Sequence, residues 1–352
     1  MANIFETNLT AKNIKTIWEA RDPKNTPPFL GESFFPAVRQ MGLDINLIKG
    51  KQGLPVALVS ANWDTDVLYR DRIGFKALQA ELPFFKEAYK VSEKLRQQIL
   101  TTNEQYRAIL FNQVFDDVNN LLEGADVTVE RMRMQILGTG TISVQENGVD
   151  KQYNYGFDSA TQLVTESTLW SASGAKPFKS FVARLKAYKQ LTKKTPKVAV
   201  FGYDAFQKLI EDEDILDYFE KSVINPTLAP TEEEIVAYIE RRTNVKIILN
   251  DAQYIKARDF SSLTPTYYYP TDRYTILPGL DLGETVYGTT PEEADLLSGE
   301  NDNVLSGEVL DNGVAVTTWK EADPVSVSVK VSEVVAPSCP QIENIYIVKV
   351  LA

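Results

Sequence analysis

The sequence predicts an α+β chain of more than one sub-domain, and three observations predict it. Strand-like alternation precedes residue 80, a four-residue apolar repeat runs from Tyr106 to Leu122, and valines alternate with polar residues from Val325 to Val331. A period of two marks strands and a period near 3.6 marks a helix. At 352 residues, with 43% hydrophobic and 24% charged side chains, the chain exceeds one small core and has the balance of a folded globular protein.

Each element follows in order. Residues 1–36 hold few apolar periodicities and the proline-punctuated "RDPKNTPPFLGESFFP", which predicts an extended arm anchored by Phe29, Phe34 and Phe35. "LDINLIKGKQGLPVALVS" then places Leu43, Ile45 and Leu47 on one side and turns at "KGKQG", and "DVLYRDRIGFKAL" returns. Together they predict a long charged hairpin, which needs a partner surface because an isolated hairpin is marginal in water. Ser92 to Glu123 is the clearest helix: Tyr106, Leu110, Val114, Val118 and Leu122 repeat beside Ile109, Phe111, Phe115 and Leu121, and Gly124 offers a stop. A second helix is expected at about Thr128–Leu137. "GTGTISVQENGVDKQYNYGF" follows as a hairpin turning at Asn147-Gly148.

The middle of the chain alternates helix and strand. Phe178–Leu191 is amphipathic, "KVAVFG" is a buried strand, and "YDAFQKLIEDEDILDYF" is helical. Thr231–Arg242 starts with a capping signal, Thr231 followed three residues on by Glu234, and leads into the strand "VKIIL". The end is strand-rich: "VAVTTW", "VSVSVKVSEVV" and "IYIVKVL", with the valine alternation predicting a sheet buried on one face. No repeat period emerges.

Composition excludes several chemistries. There is no histidine, which removes Ser-His-Asp and Cys-His catalysis and imidazole zinc sites. One cysteine, Cys339 in "APSCPQ", forms no intrachain disulfide and reads as an incidental thiol. A net charge of −11 disfavours tight binding of nucleic acid, and "LTKKTPK" is the densest basic run. No apolar run reaches the length of a membrane span and no secretion signal opens the chain, so it is expected to stay in the cytosol where it is made.

Candidate chemistry meets plainer explanations. "EDEDILD" at Glu211–Asp217 and the acids Glu232, Glu233 and Glu234 sit at helix termini, where solvated faces and helix dipoles explain them. "ENDNVLSGEVLD" has alternating oxygens at Asn301, Asp302 and Asn303 but lacks the glycine and closing glutamate of a calcium loop. "GTGTIS" at Gly138 lacks a phosphate-loop lysine and follows a helix, so it reads as a helix stop. The aromatic run Tyr267, Tyr268 and Tyr269, between Pro265 and Pro270, reads as a loop or subunit contact rather than a stacking platform. No nucleophile, base and orienting group can be assembled, so no catalytic, cofactor or metal residue is expected.

The order of arm, hairpin, long helix, central α/β region and final strands resembles the major capsid proteins of tailed bacteriophages, with the Hong Kong 97-type fold. It is most similar to the phage lambda major head protein (capsid protein E) family. The stretches "DRIGFKALQAELPFFKEAYKVSEKLRQQIL", "FDDVNNLLEGADVTVERMRMQILGTGTISV" and "ILPGLDLGETVYGTTPEE" carry the likeness, which covers most of the chain from Phe34 on.

The resemblance implies a virion shell subunit, without enzymatic activity, that forms pentamers and hexamers around double-stranded DNA. It implies an arm at 1–36, an extended loop at 37–85 lying over a neighbour, a spine helix and first peripheral part at 86–156, an axial domain at 157–308 and peripheral strands at 309–352. Partners implied are a scaffolding protein, expected to be separate because the arm is short, a portal protein, a decoration protein, and DNA contacted weakly and without sequence specificity. Arg70, Arg72, Glu81 and Glu87 become candidate intersubunit ion-pair residues, with Phe34, Phe35 and Tyr267, Tyr268 and Tyr269 as further contact candidates. Two alternatives stay open: an encapsulin-like compartment shell, and a carbohydrate-active enzyme using two carboxylates.

Overall fold

A computed structural model describes residues 5, 8–20, 29–49, 76–146, 149–222, 230–255, 264–298 and 304–352. The chain runs α1 (Ala11–Glu19), a 3-10 turn (Leu30–Ser33), β1 (Ala37–Arg39), β2 (Asp44–Lys49), β3 (Lys76–Glu81), β4 (Phe84–Val91), α2 (Glu93–Thr101) and α3 (Glu104–Thr139). There follow β5 (Thr141–Glu146), β6 (Val149–Asn154), α4 (Ser159–Gln162), β7 (Leu163–Thr165), α5 (Pro177–Thr192), β8 (Val198–Gly202), α6 (Tyr203–Ile210) and α7 (Glu213–Ser222). Then come α8 (Glu232–Thr243), β9 (Lys246–Asn250), β10 (Gln253–Ile255), β11 (Pro265–Tyr267) and β12 (Arg273–Leu277). The last stretch holds β13 (Glu284–Tyr287), α9 (Pro291–Ser298), β14 (Val304–Val309), β15 (Ala315–Ala322), β16 (Val325–Ser338) and β17 (Tyr346–Lys349).

Two compact units form. Unit 1 holds Met1–Ile45, Gln79–Arg133 and Glu284–Ser338, and unit 2 holds Asn46–Leu78, Met134–Gly283 and Cys339–Ala352. The last segment of unit 1 enters it at Glu284 and leaves it at Ser338.

The arm is not wholly extended, because it contains α1. Thr10 Oγ1 caps the helix by accepting from the Asn13 amide at 3.2 Å. The Ala11 amide donates to Ser306 Oγ at 2.8 Å and Lys15 Nζ to the Val309 carbonyl at 3.2 Å, so the helix lies along β14. Ala11 and Ile14, three residues apart, face inward, a short period that the flanking polar residues hide in the sequence.

The expected helix from Ser92 to Glu123 breaks once, but not at its glycine. Thr102 is extended, and Asn103 Oδ1 accepts from the Tyr106 amide at 3.1 Å, starting α3 afresh. Arg107 reaches back to the Ile99 and Thr102 carbonyls at 3.1 and 2.9 Å, satisfying acceptors that α2 leaves open. Gly124, expected as a stop, lies exposed inside the 36 residues of α3. A mid-helix glycine costs about 1 kcal/mol. Val114, Val118, Leu122, Val129 and Met132, at most 2% exposed, continue one buried stripe past it, each contributing about 1.5–3 kcal/mol.

In unit 1 a six-stranded sheet is ordered β1-β13-β16-β15-β14, with β4 also on β16. The sequence predicted β16 to be buried on one face. Its serines Ser326, Ser328 and Ser332 are nevertheless buried along with the valines. Helix α9 covers part of that face: Glu292 accepts from Ser332 Oγ at 2.7 Å and pairs with Lys330 Nζ at 2.6 Å. β2 and β3 form a separate two-stranded ladder, the base of the expected hairpin.

In unit 2 a five-stranded mixed sheet is ordered β7-β17-β12-β8-β9, with β8 parallel to β9 and β12 antiparallel to β8 and β17. The run "IYIVKVL" therefore contributes its strand, β17, to this sheet and not to the one holding β15 and β16. Its core stacks Phe201 on Tyr274 at 4.8 Å, with Phe181 edge-on to Tyr274 at 5.4 Å. Gln162 Nε2 donates to the Ile342 and Ile345 carbonyls at 2.7 and 2.8 Å, fixing the chain that leads into β17. The expected helix over Tyr203–Phe219 divides into α6 and α7 at Asp212, and α8 carries the expected capping box. β5 and β6 pair as the expected hairpin, with Asn147 and Gly148 outside the described residues.

Candidate functional site

The acidic clusters are occupied by local structure. Asp212, buried, accepts from the Phe178 amide at 2.9 Å and the Ile215 amide at 3.2 Å, joining the starts of α5 and α7. Glu211 pairs with Lys208 and Asp214 with Lys176. Glu234 accepts from the Thr231 amide at 2.9 Å. Among the described residues no group of three histidine, cysteine, aspartate or glutamate side chains is placed to hold a metal. Asn301, Asp302 and Asn303 lie outside them.

The glycine runs serve close packing. A Cβ at Gly138 would meet Pro270 Cδ at 2.6 Å, and Gly140, at φ +74°, ends α3 with its amide on the Ile136 carbonyl at 2.9 Å. Cys339 is buried, its Sγ 3.8 Å from the Leu282 carbonyl, and burial pushes the thiol up to about 12, far from a reactive thiolate.

The contact candidates divide sharply. Glu81 and Glu87 are exposed, the first at the end of β3 and the second on β4. Arg70 and Arg72 lie outside the described residues. Phe34 and Phe35 are fully buried within the chain, so as arm anchors they turn inward and leave no surface for a neighbour. Tyr269 is fully buried, its hydroxyl 2.7 Å from Thr275 Oγ1, which donates to the Leu137 carbonyl. Tyr268 is also buried, against Tyr254, while Tyr267 is half-buried on Tyr203 with centroids 6.2 Å apart. The tyrosine run therefore builds the core of unit 2 more than its surface.

One surface escaped the sequence reading. Tyr106 and Ile109, counted with the inward stripe, are 62% and 54% exposed, and Leu100 is exposed on α2. Tyr106 and Ile109 both lie in the first turns of α3, the same helix that buries Val114 and Val118, and its inward stripe begins at Phe111.

The polar clusters that the sequence offered as candidate chemistry thus build local structure. A family profile, phage major capsid protein E, matches residues 14–350. The chain belongs to that family. It is a phage major capsid protein, a structural virion component that assembles into an oligomeric shell, and membership decides against the enzyme and encapsulin-like alternatives. No curated protein matches it by sequence.

Solved structures share the capsid protein's fold at low identity. A prophage protein of Escherichia coli CFT073 assigned as a capsid protein aligns at TM-score 0.61 and 12% identity, over 98% of this chain and 99% of that one. A phage-related protein of Bordetella bronchiseptica RB50 aligns at 0.56 and 10%, over 97% of each. The capsid protein of cyanophage A-1(L) aligns at 0.51 and 12%, over 92% of each. The fold is thus the Hong Kong 97-type expected from the sequence.

Proposed function

We propose that this capsid protein closes a tailed-phage head as pentamers and hexamers, with the β2–β3 hairpin reaching over a neighbouring copy. The observation that carries this reading is the two-stranded ladder, whose strands are separated by 26 residues, 50–75, among them Arg70 and Arg72. A two-stranded ladder is marginal alone and gains stability by lying on another surface. Arg70, Arg72 and Glu81, together with Glu87 of β4, are the ion-pair residues toward that neighbour, each weak singly and repeated at every contact. Unit 1 is the peripheral domain and unit 2 the axial domain. A scaffolding protein, a portal protein and a decoration protein complete assembly. The net charge of −11 keeps contact with double-stranded DNA weak.

The test is assembly of a chain in which residues 50–75 are replaced by a short Gly-Ser linker. Folded subunits without particles are expected; particles of normal yield would overturn the proposed role of the hairpin.

A further inference from the structure

We infer that the two ends of the unit 2 sheet form a charge-complementary, head-to-tail contact between copies of this chain. Lys193, Lys194 and Lys197 precede β8, Arg241 and Arg242 stand in the last turn of α8, and Lys246 opens β9. The Lys246 amide donates to the Lys197 carbonyl at 2.8 Å, which places the starts of β8 and β9 side by side. Five of the six cations are exposed, and Lys194 is half-buried. Among the described residues Lys193 and Lys194 bond neutral oxygens, of Gln190 and Gln341. Among the described residues Lys197, Arg241, Arg242 and Lys246 make no ion pair. Glu240 borders the patch, but its Oε1 is taken by the Ile247 amide at 2.8 Å, and Asp281 lies by Lys194 and Lys197 across an open cleft of about 460 Å³.

The opposite end of the sheet is acidic. Helices α5 and α8 precede parallel strands, so both start at the carboxyl ends of β8 and β9, where α6 also begins. Asp204, Glu213, Asp214, Glu232, Glu233 and Glu234 gather there. Among the described residues the cations at that end include Lys176, paired with Asp214, Arg273 and Lys349, both paired with Asp272, and Lys179. Helix dipoles favour acids at helix starts and bases at helix ends. They do not account for Lys197 and Lys246, which stand at strand starts.

The 12 residues of α8 separate its ends by about 18 Å. That exceeds the roughly 8 Å screening length at physiological salt, so neither end neutralises the other within one copy. A polyanion would complement the basic end and be repelled by the acidic one. A second copy complements both, and a closed ring requires each copy to present two different surfaces. The inference rests on shell assembly, which the family establishes.

The test uses the full-length chain in three forms beside the parent. Arg241→Glu/Arg242→Glu and, separately, Glu232→Lys/Glu233→Lys are expected to lose particles by sedimentation and electron microscopy while circular dichroism stays native. The chain carrying all four substitutions is expected to regain them. Because reversal also opposes the helix dipole, Arg241→Gln/Arg242→Gln serves as a milder variant, with reduced yield expected. Parental yield from that variant overturns the inference. So does failure of the folded four-substitution chain to recover, most directly if Arg241→Glu/Arg242→Glu also loses binding to a random-sequence DNA duplex. Particles from the parent read shell formation itself, so failure of the shell reading is seen separately.

Discussion

The Gly31 amide donates to the Glu130 carboxylate across 2.8 Å in the interior of unit 1, tying the turn after the arm to α3. Burial raises the Glu130 carboxyl, while the Gly31 amide and Arg133 oppose that shift. Arg133 in turn donates to Thr285 Oγ1 at 2.9 Å, and Thr285 to the Phe35 carbonyl at 2.7 Å. A Cβ at Gly31 would meet Arg133 Cδ at 2.7 Å and crowd Glu130 Oε2. Gly31→Ala is therefore expected to cost about 1–3 kcal/mol of unit 1 stability, read from urea unfolding. An unchanged midpoint would show that the network yields freely.

Gly124 tests the opposite sign. It is exposed within α3, and a Cβ there meets nothing within 4 Å. Gly124→Ala is expected to stabilise by about 0.5–1 kcal/mol, visible as a higher thermal midpoint. A loss of stability would mean that the outer face of α3 is constrained in a way its open surroundings do not show.

Glu333 is 2% exposed on β16, with no hydrogen-bond partner for either oxygen among the described residues. Burial, with Asp126 adding to it and Arg133 opposing, pushes its carboxyl well above the ordinary 4.5. The folded chain keeps the proton that the unfolded chain releases near 4.5. This contribution to stability is full below that pH and is lost as pH rises toward the folded value. Glu333→Gln removes the loss, so thermal melts should show a gain at pH 8 that shrinks to nothing near pH 4. A gain largest in acid would reverse the sign and sink the assignment.

Glu166 and Arg184 form a two-pronged pair at 2.7 and 2.8 Å, with Ser180 Oγ adding a third bond at 2.6 Å. Burial alone would raise the Glu166 carboxyl, but Arg184 and Ser180 outweigh it and the net shift is downward. The pair stabilises above the ordinary carboxylate value and loses that effect as pH falls through the depressed one. Arg184→Ala is expected to cost about 1 kcal/mol at neutral pH, after discounting for partial exposure. Its deficit should narrow in acid, and a deficit constant from pH 7 to pH 3 would point to lost packing instead.

Charge reversal at Arg70 and Arg72 is expected to impair assembly while leaving the subunit folded, by paired electron microscopy and circular dichroism. Normal particles from the double variant would refute their assignment as contact residues.

Several elements were legible because their cause is local. The capping box at Thr231 and Glu234, the buried run "KVAVFG" and the hairpin around Asn147-Gly148 each depend on residues within a few positions of one another. The misread elements depend on distant partners. Gly124 fails to stop α3 because the buried stripe from Val114 to Met132 continues beneath it, and Ser332 is buried because Glu292 covers it. Phe34 and Phe35 look like surface anchors in the sequence but are fully buried within the chain.

By itself the sequence determined the mixed class, the absence of imidazole chemistry, the hairpin and long helix, and through these the capsid family. Only the tertiary structure decided which of two sheets each final strand joins, which aromatics are interior, and that opposite charges gather at opposite ends of unit 2. Periodicity reports the face a residue shares with its sequence neighbours, whereas burial and field depend on what the rest of the chain brings to that face.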